Sequence, residues 1–553
     1  MDFLGKMLSS VRAFASIPAK TIGGAALVIA IAGVASRLLG FLRDRLLASQ
    51  FGAGDTLDAY YAAFRIPDTL YNLLVMGALS AAFVPIFTDF LSEKKEKKAW
   101  ELASAMLQWL TLFLGALSVL AAIFAPALVS VVAPGFSEEK QALTTELTRI
   151  MLLSPIFLGI SAVFGGVLIS FRRFVAYSLA PLLYNLGIIL GIILLVPLFG
   201  ISGLAWGVVA GAVLHMLVQI PAIRDSGFRS ALFRVGLPFD SSVRRVVKLM
   251  IPRSIGMAAN QVGLLLTTVF ASSLVSGSLA VFTLAWNIQS IPLGLFAVAF
   301  SLAAFPALSI SVSKKDDREF FLTLSRTVRR ILFFVVPLSL FFIIFRAQFV
   351  RVILGSGQFD WADTIATFGV LGWLSASLFA QGLIPLFARG FYAKQDTKTP
   401  LSIALIAEAV HIALIPLLLP RFGVDALAIA FSVGSVVNFS LLFLSLRKKV
   451  PGWNDREILS GSARILSAAL LAGLVAQFSK SAFILAPSPL DTFAEVFLQL
   501  IFGLTVGFGS FFLASAWLRI EEFHAMKRWI FCKVLRLPEA ASSVEGHPEK
   551  GEW

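Results

Sequence analysis

Some fourteen windows of about 20 predominantly apolar residues succeed one another along this chain, each long enough to cross the hydrocarbon core of a bilayer as a helix. They lie at 22–49, 58–90, 101–132, 148–170, 177–198, 201–223, 247–274, 279–312, 321–345, 364–388, 399–419, 426–446, 459–479 and 493–518. In lipid every backbone N–H and C=O must find its partner inside the protein, so such windows read as helices. Of the 553 residues, 58% are hydrophobic and 14% charged, where soluble domains carry about 25% charged residues. Mean hydropathy is +0.87. The fold class is therefore all-α, a polytopic membrane protein of about fourteen spans. Soluble enzymes, disulfide scaffolds and disordered chains are excluded.

Alternate loops differ in basic residues. One set, which begins with Lys94, Lys95, Lys97 and Lys98, holds 22 Lys and Arg, and the other set holds 5. By the positive-inside rule the first set is cytoplasmic, and an even number of spans puts both termini there too. The same rule accounts for the net charge of +14 without nucleic acid. Residues 1–21 carry Lys6, Arg12 and Lys20 between short apolar groups and lack the continuous apolar core of a signal peptide. They read as an interfacial cytoplasmic segment. Residues 224–246 form a cytoplasmic linker, and 519–553 a polar cytoplasmic tail expected to be disordered.

An internal repeat divides the spans. Leu79-Ser80-Ala81-Ala82-Phe83-Val84-Pro85, followed by the charge run Glu93 to Lys98, returns as Ser301-Leu302-Ala303-Ala304-Phe305-Pro306 before Lys314 to Glu319. Phe124-Ala125-Pro126 answers to Phe345-Arg346-Ala347 in the same way. Two parallel six-helix lobes follow, at 22–223 and 247–446, with spans 13 and 14 added at 459–518. Transporters built of such repeats hold substrate between lobes near the midplane. Glycines four apart at Gly187/Gly191, Gly203/Gly207/Gly211 and Gly503/Gly507 suit close helix packing, a hinge being the alternative.

Ionisable residues inside spans are costly and mark cavities or partners. Span 1 carries Arg37, Arg43 and Asp44, and span 2 carries Arg65 and Asp68 after Asp58 at its start. On a helical wheel Arg37 and Asp44 share a face, with Arg43 about 120° away. Two readings stand together: internal Arg–Asp pairing, and a hydrated cationic cavity for an anionic substrate that arginine grips in bidentate fashion. Asn287 in span 8, where the repeat sets it opposite Arg65, extends the candidate cavity, as does Arg253 at the start of span 7, for which a snorkelling helix-end residue is the other reading. Glu408 and His411, three apart on span 11, are candidates for ion coupling. One Cys, four dispersed His and no phosphate loop leave no metal or cofactor site. Membrane potential, sodium and protons stay open as driving forces.

The segment ASRLLGFLRDRLLASQFGAGDTLDAYYAAFRIPDTLYNLLVMGALSAAFVPIF, with VVAPGF at 131–136 and ARGFYAKQDTKTP at 388–400, resembles the MurJ (MviN) family of lipid II flippases. The likeness covers nearly the whole chain. It implies the fold of the multidrug/oligosaccharidyl-lipid/polysaccharide exporter superfamily, and two lobes rocking in alternating access. It also implies a non-enzymatic role: moving undecaprenyl-pyrophosphate-linked disaccharide-pentapeptide (lipid II) to the outer leaflet of the bacterial cytoplasmic membrane. The transporter would act as a monomer that associates with cell-wall synthesis proteins. By position, Arg37 and Arg43 match the family's cavity arginines of span 1, and Asp58 its aspartate at the span 1–2 turn. Two departures stand out. The family's L-R-R-x-x-A-E-G-A is here Leu70-Tyr71-Asn72-Leu73-Leu74-Val75-Met76-Gly77-Ala78, which puts Asn72 in place of an arginine, and A-D-R-L is here Ala285-Trp286-Asn287-Ile288. Arg65 or Arg253 would have to substitute.

Two alternatives remain. One is a flippase for another lipid-linked oligosaccharide, or a cation-coupled exporter of the same superfamily. The other is a membrane glycosyltransferase, for which the short outer loops offer only Glu138, Glu139, Glu146, Asp360 and Asp363.

Overall fold

A computed structural model describes residues 22–76, 82–227, 240–484 and 492–529. The interfacial segment 1–21, residues 228–239 of the linker, Leu79 to Ala81 of the repeat motif and the tail beyond 529 lie outside the described residues. Within them the secondary structure is helical throughout. Ten helices are long and apolar enough to cross a membrane, and the bent pair Trp361–Ala376 and Leu378–Ala393 makes an eleventh. The helices α1 (Ile22–Phe51) and Ser241–Ser272 add 30 and 32 residues, about 45 Å of axis each. Length and apolarity alone thus do not reach the expected fourteen.

The window 58–90 is not one rod. It breaks into α2 (Asp55–Ala63), α3 (Arg65–Tyr71) and a π-helical turn at Asn72–Met76, and resumes as α4 (Val84–Ser92). The window 101–132 also divides, into α5 (Glu96–Ile123) and α6 (Ala125–Val132), because Pro126 starts a new helix.

The repeat is written into the backbone. Helix α5 recurs in the second half as Asp317–Ile344, and α6 recurs as Arg346–Ile353. The π turn at Asn72–Met76 recurs at Leu293–Ala297, displaced along the chain by the same interval. The turn before α5 places Lys94 at φ 58°, and the turn before Asp317–Ile344 places Lys315 at φ 55°. Lys95 N–H donates to Phe90 (2.8 Å) and Asp316 N–H to Ser311 (2.9 Å), the same helix-ending bond in both halves. Duplication of helix ends, π turns and left-handed residues together leaves no room for coincidence.

The chain forms two compact units. One comprises Met1–Ile291, Arg346–Ser377 and Thr397–Asn438, and the other Pro292–Phe345, Leu378–Asp396 and Phe439–Trp553. In the first, α7 (Phe174–Leu190) with its π turn at Gly191–Leu195 lies on α8 (Ser202–Leu217) through glycines. A Cβ on Gly187 would land on the backbone of Gly211, and one on Gly191 on that of Gly207. These glycines are therefore contact points where backbones touch. In the second unit, Gly503 and Gly507 make room for the rings of Phe345 and Phe341.

This seam yields a prediction. Gly187→Ala should lower the melting temperature in detergent, because overpacking costs about 1–3 kcal/mol and exceeds the roughly 0.5–1 kcal/mol gained in helix propensity. Gly115→Ala, where a Cβ meets nothing within 4 Å, should not. A thermal-shift comparison checks both, and equal melting temperatures would refute the packing account.

Candidate functional site

Within the first unit four helices and the turn between two of them enclose a cavity of about 250 Å³, joined by a fifth helix. Its lining comes from α1 (Arg43), α2 (Tyr60, Tyr61), α3 (Arg65, Asp68) and the turn between the last two (Phe64). The rest comes from α9 (Ser241–Ser272), which supplies Leu264, and α10 (Ser278–Pro292), which supplies Phe282, Thr283, Trp286 and Asn287. The repeat explains the composition. Arg43 and Leu264, Tyr61 and Phe282, and Arg65 and Trp286 stand at equivalent positions of the two repeats, so the two halves line the cavity from the same register. The register also corrects the sequence pairing: Trp286, not Asn287, is the counterpart of Arg65.

Arg43 is held on both sides. Its Nε and Nη2 donate to Asp44 Oδ1 at 2.9 and 2.7 Å, and Nη1 donates to Asn185 Oδ1 at 3.0 Å. Asp44 is buried and accepts at Oδ2 from Asn287 Nδ2 at 2.9 Å. Asn185 in turn donates to the carbonyls of Ser36 and Pro181. Two carboxamides thus complete the shells of an ion pair whose carboxylate is buried, which a pair with a buried member requires. Arg65 Nε donates to Thr268 Oγ1 at 2.8 Å, and no ion pair joins it to Asp68 among the described residues. Pairing and cavity lining coincide in Arg43.

Other expected residues sit elsewhere. Arg37 is half-buried and not among the lining residues. Its position on the helical wheel relative to Arg43 turns it to another side of the helix. It has no ion-pair or hydrogen-bond partner among the described residues. Asn72 is half-buried and opens the π turn, outside the lining. The side chain of Arg253 lies outside the described residues. Asp58 is also not in the cavity. It is buried, receives Lys140 Nζ at 2.7 Å, and accepts from the N–H groups of Gly277 and Ala280 at 2.8 Å each. It thereby caps the start of α10, as an aspartate at a helix N-terminus should. Lys140 also reaches Asp55 at 2.6 Å, and Ser276 donates to the same oxygen at 2.7 Å. These bonds hold the Asp55 carboxyl below its ordinary range.

Glu408 and His411 do meet, at 2.9 Å between Oε1 and Nδ1. The carboxylate lies over Gly263 of α9, where a Cβ would collide with it. His411 is buried and Nε2 has no partner among the described residues. Among the described residues no three of His, Cys, Asp and Glu converge to hold a metal ion.

Sequence reasoning misses the aromatic lining and the Asn185 support. Tyr60, Tyr61, Phe282 and Trp286 look like ordinary apolar span residues until the repeat register is applied. Lys140 enters only as a charge of the sparsely basic loop set.

A duplicated, many-span helical fold around a polar cavity defines a multi-pass membrane transporter. The family described as lipid II flippase MurJ matches residues 47–488. The lipid II flippase MurJ of Burkholderia cenocepacia is 32% identical over 458 residues, 80% of this chain and 87% of that protein. A probable lipid II flippase MurJ of Haemophilus influenzae is 30% identical over 459 residues, 79% and 89% of the two chains. The chain belongs to the MurJ family. A solved lipid II flippase MurJ in an inward closed conformation shares the fold, with a TM-score of 0.73 at 24% identity over 89% of this chain and 99% of that one. An inward-facing MATE family transporter of the MOP superfamily also shares it, at 0.65 and 16% over 76% and 95%.

The Asp58 cluster makes an ordered prediction. Asp58→Ala leaves Lys140 short of a carboxylate and two N–H groups unpaired, at a cost of about 3–5 kcal/mol for a broken buried pair. Lys140→Met should cost less, since Gly277 and Ala280 still donate to Asp58. Thermal unfolding of the two variants checks the order, and the reverse order would refute it. Because the Asp55 carboxyl is depressed, its contribution is present above the ordinary aspartate range and fades as pH falls through and below about 4.

Proposed function

We propose that this chain carries lipid II from the cytoplasmic to the outer leaflet by alternating access, with the pyrophosphate region of the head group engaged at Arg43 and Arg65. The observation that carries this reading is the cavity with two arginines in otherwise apolar helices, in a chain of this family. A pyrophosphate with its sugar–peptide head cannot cross hydrocarbon unaided, and guanidinium groups match its oxygens. The polyprenyl tail can stay in lipid.

The basic loops face the cytoplasm in this reading, with both termini on that side. The Asp58, Lys140 and Gly277 cluster then lies toward the outer side, joining the start of span 2 to the turn before span 8. Glu408 and His411 are the groups we assign to ion coupling, with membrane potential acting on the arginines as the competing source of drive. Replacing Glu408 with Gln should remove the dependence of transport on a proton or sodium gradient, and unchanged gradient dependence would overturn that assignment.

Complementation tests the main proposal. A strain depleted of its own lipid II flippase should be rescued by this chain. Arg43→Ala and Arg65→Ala, matched for membrane expression, should each fail or lower transport at least tenfold, the equivalent of about 1.4 kcal/mol per decade. Rescue by Arg43→Ala would remove the cationic site from the mechanism.

A further inference from the structure

We infer that the cavity wall formed by Tyr61, Thr283 and Trp286 is a carbohydrate subsite, which takes a sugar ring of the transported head group while Arg43 and Arg65 face its phosphates. This rests on the lipid-linked saccharide reading above and adds a residue-level assignment for the sugar.

Three observations converge on it. First, the wall is aromatic: Trp286 lines the cavity with Phe282, Tyr60, Tyr61 and Phe64. Its indole is fixed edge-on by Phe431, at a ring distance of 4.6 Å, and tilted against Phe282 at 6.0 Å. A held aromatic face offers a platform for an apolar sugar face at little entropic cost.

Second, the wall contains unanswered polar atoms. Tyr61 is 7% exposed, and neither its hydroxyl nor that of Thr283 has a hydrogen-bond partner among the described residues. Buried hydroxyls are normally paired; both side chains line the cavity, and their oxygens, shielded from its surface here, gain partners from a ligand once the side chains turn toward it. Sugar hydroxyls both donate and accept, as Tyr and Thr hydroxyls do. Third, the cavity of about 250 Å³ is below the roughly 300–1,000 Å³ of sites that enclose a drug-sized ligand. It has room for one ring beside the arginines, and none for a whole disaccharide-pentapeptide.

The polar and aromatic wall also comes from both halves of the repeat. Tyr61 of the first half and Phe282 of the second occupy the same register, as do Arg65 and Trp286. Divergence of the two halves thus leaves both lining arginines in the first half, while aromatic groups come from both.

The test uses the full chain in nanodiscs with two probes, undecaprenyl pyrophosphate and lipid II, and native mass spectrometry as the readout. The parent should bind lipid II more tightly than undecaprenyl pyrophosphate. Tyr61→Phe removes a single oxygen that holds no protein partner among the described residues, so folding is retained. It should weaken lipid II about fivefold, the scale of one hydrogen bond, and leave undecaprenyl pyrophosphate unchanged. Trp286→Leu should weaken lipid II about tenfold with the same selectivity. Equal weakening of both probes, no effect on either, or a parent that does not distinguish them would overturn the subsite while leaving the lipid-linked reading intact. A parent that binds neither probe would overturn the lipid-linked reading itself.

Discussion

The arginine–aspartate pair of α1 sets the terms for the rest of this structure. A guanidinium in the middle of an apolar helix costs several kcal/mol when left without partners, a large share of the net stability of a typical domain. Arg43 is therefore surrounded in three directions: Asp44 beside it, Asn185 from α7, and Asn287 from α10 closing on the far oxygen of Asp44. Those contacts tie spans 1, 5 and 8 to one ion pair. The Gly187–Gly211 and Gly191–Gly207 approaches brace α7 against span 6 and so help fix Asn185 at the distance the guanidinium needs. Packing and electrostatics here are one constraint.

Duplication then explains where the chemistry sits. Helix ends, left-handed turn residues and π turns recur at one fixed interval, yet the charged residues of spans 1 and 2 do not. Arg43, Asp44, Asp58 and Arg65 have Leu264, Leu265, Leu279 and Trp286 at the corresponding positions. One half kept charge and the other became apolar or aromatic. The π turns at Asn72–Met76 and Leu293–Ala297 mark the same point in spans 2 and 8. Each inserts a residue into the helical repeat and frees carbonyls, a distortion that persists where a helix must present side chains at an unusual angle.

Much of this is legible in the sequence, for identifiable reasons. Apolar windows locate helices because lipid admits few alternatives, and most window edges fall within a few residues of the helices observed. The repeat is legible because Lys94 and Lys315 lie in matching charge runs. The break after Ile123 is not, since a hydropathy window averages across a change of direction. The site is only half legible. Arg43, Arg65 and Asn287 stand out in the sequence and line one cavity, whereas family likeness groups Arg37 with them and it is not among the lining residues. Asp58 reads as a cavity carboxylate in the sequence, although its partners Gly277 and Ala280 are backbone donors from the other half of the repeat that no side-chain pattern announces. The aromatic wall escapes notice because Tyr and Trp in an apolar span are ordinary one at a time.

The charge balance of the cavity bears on how a carrier can both grip and release an anion. Arg43 and Arg65 line it together with Asp68, and Asp44 sits directly behind Arg43. Two formal positive charges are thus accompanied by two negative ones. A site with uncompensated arginines would bind a pyrophosphate tightly and surrender it slowly. In the reading proposed above, an entering phosphate oxygen competes with Asp44 for a guanidinium that is already oriented, so one charge-assisted bond is exchanged for another. Separating the buried Asp44 from Arg43 has a cost of its own, which its remaining bond from Asn287 offsets in part. Contacts that do not involve charge then add to the discrimination between head groups. In the subsite we infer, those contacts are the hydroxyls of Tyr61 and Thr283 and the face of Trp286.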